Sequence, residues 1–495
     1  MSRGFLLLVL PVALSAQVAV RKIDVPKTWD EAALAEWATP IAALKVRPGH
    51  FSAAEYYRAP IDNLRTYPYY APGREPEGYW KMLNSIGPKP LIEPEKLKTE
   101  ADWIAAGKRV FEEYDVPAFR VTDPAKNAAV RAPEAIAKFK IEPLPDGTVE
   151  GFRWVVTPQG VQFAVGNCAA CHTQHRSDGT VILGAPTNSP GNDLFNLVIE
   201  TGSSAVPLPG DGPSAAFWRS FVVPWEKDDI HSGIRTLEGP KLGALMGPAF
   251  APGLFPRWNG SPYYGTKIPD LIGLRERKYI DHTATHQHRG PGDVMRYGAL
   301  VTYSDISDFG SHRILTDDQR KIPSRLPDEA LYAMALYIYS LEPPPNPNKM
   351  NERAAAGQKV FSSAGCATCH TPGAYTNNKL TLAKGFRPPS DLPKSLDVMR
   401  VSVGTDPGLA LKTRKGTGFY KVPSLKGLWY RGRYLHDGAL TKIEEMFDPA
   451  RLKDDYQPTG FVAEGKKTRA VVGHEFGLDL PAEKRADLVA FLKTL

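Results

Sequence analysis

Four cysteines set the terms for this chain. They are the only ones in 495 residues, and they fall as Cys168-Ala-Ala-Cys171-His172 and Cys366-Ala-Thr-Cys369-His370. With 11 histidines in the chain, a histidine after both pairs arises by chance about 5 times in 10,000. A structural zinc site would bring two C-x-x-C pairs within about 12–20 residues of each other. Here 194 residues separate Cys171 from Cys366. A thioredoxin-like redox pair needs a preceding strand and a helix opening at the pair, and neither flank reads that way. Plain disulfides leave both histidines unexplained. Two thiols two residues apart suit thioether bonds to the two vinyl groups of one haem, with the next histidine held as the proximal iron ligand. The reading is two covalently attached haems c, haem 1 on Cys168, Cys171 and His172, and haem 2 on Cys366, Cys369 and His370.

The first residues read as an export signal. Met1-Ser2-Arg3 gives a positive start, residues 4–14 are apolar, and Ala13-Leu14-Ser15-Ala16 offers small residues for cleavage. The apolar run is shorter than the ~20 residues of a membrane span and contains Pro11. Residues 1–16 are therefore expected to be removed, leaving a periplasmic or secreted chain with no stable membrane span. Lys and Arg number 61 against 54 Asp and Glu, a net +7 spread thinly and without a basic run, so nucleic acid is not an expected partner.

An internal repeat organises the rest. Ala106-Gly107-Lys108-Arg109-Val110-Phe111 matches Ala356-Gly357-Gln358-Lys359-Val360-Phe361. Lys267-Ile-Pro269-Asp-Leu271-Ile-Gly273-Leu274 matches Lys421-Val-Pro423-Ser-Leu425-Lys-Gly427-Leu428, and residues 326–341 match 480–495. The last block has helical apolar spacing in both copies: Met334, Ala335, Ile338 and Leu341 against Leu488, Val489, Leu492 and Leu495. Glycine in the early helix permits close approach to this terminal one. In the first copy about 50 residues are inserted between Phe111 and Cys168. Glu342-Pro-Pro-Pro-Asn-Pro347 divides the copies. The expected fold is mainly α: two cytochrome c-type helical haem domains, 101–344 with insertions and 350–495, with long irregular loops. Residues 17–100, rich in tyrosine and proline, are expected to wrap the first domain with little secondary structure.

Two C-x-x-C-H units, with Tyr434-Leu435-His436-Asp437-Gly438 following Lys421-Val-Pro423, resemble the bacterial di-haem cytochrome c peroxidase superfamily. Two further segments, residues 67–79 (Tyr67-Pro-Tyr-Tyr-Ala-Pro-Gly-Arg-Glu-Pro-Glu-Gly-Tyr79) and Gly473-His474-Glu475-Phe476-Gly477, are most similar to its rubber-oxygenase branch. The resemblance implies that His474 is the sixth ligand of haem 2, ahead of Met399 and Met446. The methionine of the peroxidases falls here on Ala450. It implies that His436 lies by a haem propionate rather than on iron. It also implies that haem 1 is reactive and haem 2 relays or stores electrons.

For the sixth position of haem 1 the residues themselves leave His175, His231, His282, His286, His288, His312, Met246 and Met295 open, Asp281 being aligned with His436. Trp258 is the candidate for electron transfer between the haems, against a plain core role. A calcium ion between the domains is also left open. The function read from all this is an exported di-haem oxidoreductase, peroxide-reducing or dioxygen-using. Its partners are a redox protein or small electron donor and peroxide, dioxygen or an organic substrate. The alternative is an electron-transfer cytochrome without its own substrate.

Overall fold

The computed structural model describes residues 23–117, 120–138, 142–189, 221–237, 239–256, 260–303, 308–313, 322 and 324–495. The signal segment 1–16 and Trp258 lie outside them. Helix takes 34% of the chain and strand 13%, in several sheets, so the mainly α expectation is wrong. The largest sheet is built where loops were expected. Strand β1 (Thr66–Tyr70) comes from the N-terminal extension. Strands β2 (Arg120–Val121), β3 (Thr148–Thr157) and β4 (Gly160–Val165) come from the insertion before Cys168. Their order is β1-β3-β4-β2, antiparallel throughout. Strands β3 and β4 meet across a two-residue turn in which Thr157 faces Gly160, and Gly160 takes the positive φ the turn requires. Phe152, Trp154 and Val156 alternate onto one face of β3 and pack with Tyr69, Tyr79 and Phe163. Aromatic and β-branched residues on a half-buried pleat explain why this stretch is sheet. Smaller strands follow: β5 (Thr173–His175) with β6 (Val181–Leu183), β7 (Asp308–Phe309) with β8 (His312–Arg313), and the sheet β10-β9-β11 (Val398–Ser402, Leu380–Leu382, Phe419–Lys421).

The repeated blocks form two matching helix pairs. Helix Glu100–Glu113, capped by Thr99 in a reciprocal bond with Asp102, packs on Asp328–Tyr339. Helix Glu352–Ser363, capped by Asn351, packs on Ala482–Lys493. At the crossing of each pair stands the repeated glycine. A Cβ on Gly107 would meet Ala333 O at 1.9 Å, and one on Gly357 would meet Asp487 O at 1.9 Å. Phe111 then packs on Tyr337 and Phe361 on Phe491, with ring centroids 5.3 and 5.4 Å apart. Each such buried ring contributes about 1.5–3 kcal/mol.

The two repeats are joined by an exchange of bonds. The backbone N–H of Lys267 donates to His436 O at 2.9 Å, and that of Lys421 donates to His282 O at 3.0 Å. Each K-x-P block is thereby anchored to the other repeat. The exchange matches His282 to His436, one residue beyond the Asp281 that the sequence sets opposite it. The N-terminal extension is clipped to the first repeat by Thr39 N–H to Thr285 O (2.8 Å) and Gln287 N–H to Trp37 O (3.0 Å). Trp29, Trp37 and Tyr56 of the extension are buried in the same core as Val110 and Met334.

Candidate haem sites

Both C-x-x-C-H motifs fold as one tight turn. Asn167 caps Cys168–Cys171, its side chain accepting from Ala170 N–H at 2.7 Å and donating to Glu112 O at 3.0 Å. Gly365, at positive φ, opens Cys366–Thr368. The histidine N–H then donates back to the first cysteine's carbonyl, at 3.0 Å for His172 and 2.9 Å for His370. The turn holds the two thiols and the imidazole of each motif to one short stretch of backbone. None of the four cysteines is in a disulfide, and all are of intermediate exposure. Burial pushes the Cys168 thiol up to about 12, with Cys171 adding to it. The sulfur atoms also have soft neighbours: Met334 Sδ lies 3.7 Å from Cys168 and Met399 Sδ 4.0 Å from Cys369.

The second repeat brings a second histidine opposite the first. The rings of His370 and His474 stand with centroids 6.3 Å apart. Two imidazoles on opposite sides of one iron, each nitrogen about 2 Å from it, require a separation of about 6 Å. His370 Nδ1 is engaged with Tyr375 O at 3.2 Å, which leaves Nε2 as the ligating nitrogen. His474 is held in place by its backbone. It adopts φ 48°, next to Gly473 at φ 78°. A Cβ on Gly473 would lie 2.1 Å from Thr405 N, so this approach admits glycine alone. Arg451, fully buried, clamps the loop by donating to His474 O (2.8 Å), Val471 O (2.5 Å) and Met446 O (3.1 Å). Burial, helped by His370 and Arg451, lowers His474 to about 4, and its Nδ1 is buried without a hydrogen-bond partner. The thiols, the turn and this facing pair fit a covalently bound haem, which Cys366, Cys369, His370 and His474 would hold.

In the first repeat the candidate ligands are occupied with other groups. His175 pairs with Glu150 at 3.0 Å. His231 bridges Asp229 (2.8 Å) and Ser261 (2.7 Å). His282 contacts Lys267 O at 2.7 Å, and His288 contacts Arg277 O and the Tyr339 hydroxyl, each at 2.5 Å. His286 lies 3.5 Å from Asp281 and packs against Trp37, ring centroids 4.1 Å apart. His312 lies beside Trp225. Met246 and Met295 are core residues. The sequence reading did not include His50, whose ring sits 5.8 Å from that of His286 with both nitrogens buried and unpartnered. It comes from the extension, whose path is not encoded in any motif. His436 stacks on Tyr420 at 4.2 Å with Nε2 3.2 Å from the hydroxyl. Among the described residues no group of three or more His, Cys, Asp or Glu is placed to hold a metal ion.

Between the two attachment turns lies a patch of charge that the sequence reading passed over. Asp270 accepts from Arg431 Nε (2.9 Å) and the Tyr430 hydroxyl (3.0 Å), and pairs with Arg277 at 3.6 Å. Lys267 Nζ donates to Arg433 O at 3.2 Å, and Lys421 Nζ donates to Tyr279 O and Ile280 O at 3.0 and 2.8 Å. Burial brings both lysines down to about 7. The charge of Arg431 adds to this at Lys267, and that of Arg277 at Lys421. The repeated lysine of the K-x-P block was the available signal.

Two C-x-x-C-H turns in one chain are the attachment pattern of a di-haem c-type cytochrome. The chain is 28% identical over 149 residues to the methylamine utilization protein MauG of Methylorubrum extorquens, a match covering 29% of this chain and 34% of MauG. The match thus spans about a third of that relative. Together with the paired motifs, the match makes the chain similar to MauG over that stretch. Among solved structures it is similar to a MauG-like protein associated with microbial copper homeostasis (17% identity, 51% of this chain and 80% of that one, TM-score 0.29). It is also similar to the di-haem peroxidase BthA of Burkholderia thailandensis (18% identity, 52% and 81%, TM-score 0.28). No family model matches the chain.

Proposed function

We propose that this chain is an exported di-haem oxidoreductase that reduces peroxide or uses dioxygen, with its chemistry at haem 1 and electron transfer at haem 2. The facing of His370 and His474 at 6.3 Å carries the reading. His370 and His474 would together hold haem 2, and two histidine ligands would suit it to electron transfer. His175, His231, His282 and His288 of the first repeat have other hydrogen-bond partners, which supports reaction at haem 1, which Cys168, Cys171 and His172 would hold. A bound haem supplies one-electron chemistry and, at an accessible iron position, reaction with peroxide or dioxygen. The residues do the rest. The turns hold the thiols and the histidine that would bind each haem, Arg451 holds His474 in place, and His436 keeps its ring against Tyr420. Export fits the apolar N-terminal segment, and among the described residues no helix is long and apolar enough to cross a membrane. The electron source is a redox protein or small donor.

The test is His474→Ala. It should convert one low-spin haem to high-spin with both haems still attached, while the other haem's spectrum is unchanged. An unchanged spectrum moves the ligand to Met399 or Met446 and removes the argument for divided roles. Adding peroxide, and separately dioxygen with an olefinic substrate, then separates the two chemistries. Peroxide consumption coupled to haem 2 oxidation marks a peroxidase, and oxygen incorporation without peroxide marks an oxygenase.

A further inference from the structure

The seam between the repeats concentrates more positive charge than its own carboxylates neutralise. Lys267, Lys421, Arg277 and Arg431 all act on one another electrostatically. Asp270 lies within the group and binds both arginines. The three other nearby carboxylates are engaged elsewhere, Glu276 with Lys426 at 2.8 Å. Asp281 is shared with His286 and Lys415, and Asp437 is paired with Arg469 at 2.7 Å. Packing four basic groups around one carboxylate disfavours their charged forms, as the lowered pKa of both lysines reflects, unless further anions join them.

The donors left over show where such anions bind. Arg431 is buried at 8% exposure. Its Nε is fixed by Asp270 and its Nη1 by Ser424 O at 2.6 Å, while Nη2 is buried with no hydrogen-bond partner. An ammonium has three N–H donors. Lys421 commits two of them to carbonyls and Lys267 one. The patch also touches both attachment sites. The carbonyl of Pro423, two residues after Lys421, faces His370. Gln174, two residues after His172, donates to Tyr430 O, next to Arg431, at 2.8 Å.

We propose that Lys267, Lys421 and Arg431, with Arg277 held beside them by Asp270 O and Ile272 O, form one shared carboxylate clamp, which takes the propionates of both haems at the seam between the repeats. This rests on the haem-binding reading above and adds to it. The exchanged K-x-P blocks place a lysine of each repeat against the other, so the clamp couples the two haem sites through charge. Positive charge beside a propionate favours the reduced haem, because reduction adds an electron to the site. These are positioning residues, and their effect is read in potential.

The experiment uses the protein with both haems attached, verified by intact mass, and measures the midpoint potential of each haem by spectroelectrochemistry. Lys421→Met and Lys267→Met should each lower the potentials, and Lys421→Arg should keep them at the wild-type value. If a Met variant does not fold, Lys267→Gln replaces it, since Lys267 makes a single long bond. Potentials unchanged in the Met or Gln variants, with both haems attached, overturn the clamp and leave the lysines as caps on carbonyls. Wild-type potentials that move with added acetate or phosphate at constant ionic strength also overturn it, because a soluble anion would then occupy the seam. Absence of haem from the wild-type protein would instead refute the haem-binding reading itself.

Discussion

Replacing Gly107 by alanine tests the packing that brings the first repeat together. In an exposed helix this change is stabilising by about 1 kcal/mol, because glycine costs more conformational entropy. Here the added Cβ would lie 1.9 Å from Ala333 O, 2.4 Å from Ala333 C and 2.8 Å from Tyr337 Cβ. Backbone atoms cannot step aside as a flexible side chain does, so the helices must separate by about 1.5 Å to reach ordinary contact. A gap of 0.5–1 Å already forfeits about a quarter to a half of the contact attraction. The contacts at risk are those of Val110 and Phe111 with Met334, Tyr337 and Ile338, all buried. Overpacking of this kind costs about 1–3 kcal/mol, and more where backbone is hit. Taking the upper end because backbone is hit, about 3 kcal/mol less the propensity gain of about 1, the net expectation is a loss of about 2 kcal/mol. Urea titration of the haem-loaded protein, followed at a haem band and by far-ultraviolet circular dichroism, measures it. Gly233→Ala is the control, since nothing lies within 4 Å of a Cβ there. A Gly107→Ala protein as stable as wild type, or more stable, would falsify the close-crossing argument.

Asp270→Asn leaves Arg431 and Arg277 without their shared carboxylate, and breaking a buried pair costs about 3–5 kcal/mol. The urea midpoint should fall, and a midpoint equal to wild type would show that Asp270 is dispensable to the seam. His175 should give a pH signature. Its bond to Glu150 raises its pKa above the ordinary 6.5, so the folded state holds the proton more tightly than the unfolded chain does. That contribution is fully present below about pH 6.5 and is lost as pH rises through the folded value. Thermal melts should therefore show wild type above His175→Gln at about pH 5, with the gap closing by about pH 9. A gap independent of pH assigns the contact a packing role only.

What could be read in advance was whatever is encoded by local spacing. The C-x-x-C-H turns need only five consecutive residues, and the helix pairs are marked by Gly107 and Gly357, where any side chain would strike a backbone carbonyl. His474 was singled out by resemblance as a ligand of haem 2, and what sets its ring opposite His370, Arg451 on three carbonyls, is a matter of chain folding. The sheet was missed because β3 is buried on both faces over much of its length, and a continuous apolar run loses the alternation that identifies a strand. His50 and the cationic seam were missed for a common reason. Their partners lie far away in sequence, His286 for His50 and Asp270 for Arg431. No periodicity reports a contact of that range. The repeated lysine of the K-x-P block was visible as a repeat, and its exchange between repeats is what gives it chemical meaning.

The central claim is that the two irons differ in coordination, and low-temperature electron paramagnetic resonance of the oxidised wild-type protein tests it most directly. With His370 and His474 facing each other at 6.3 Å, haem 2 should give a low-spin signal of the bis-histidine type. Haem 1 should contribute a high-spin signal of comparable intensity. Two low-spin signals and no high-spin component would contradict the account and leave an electron carrier.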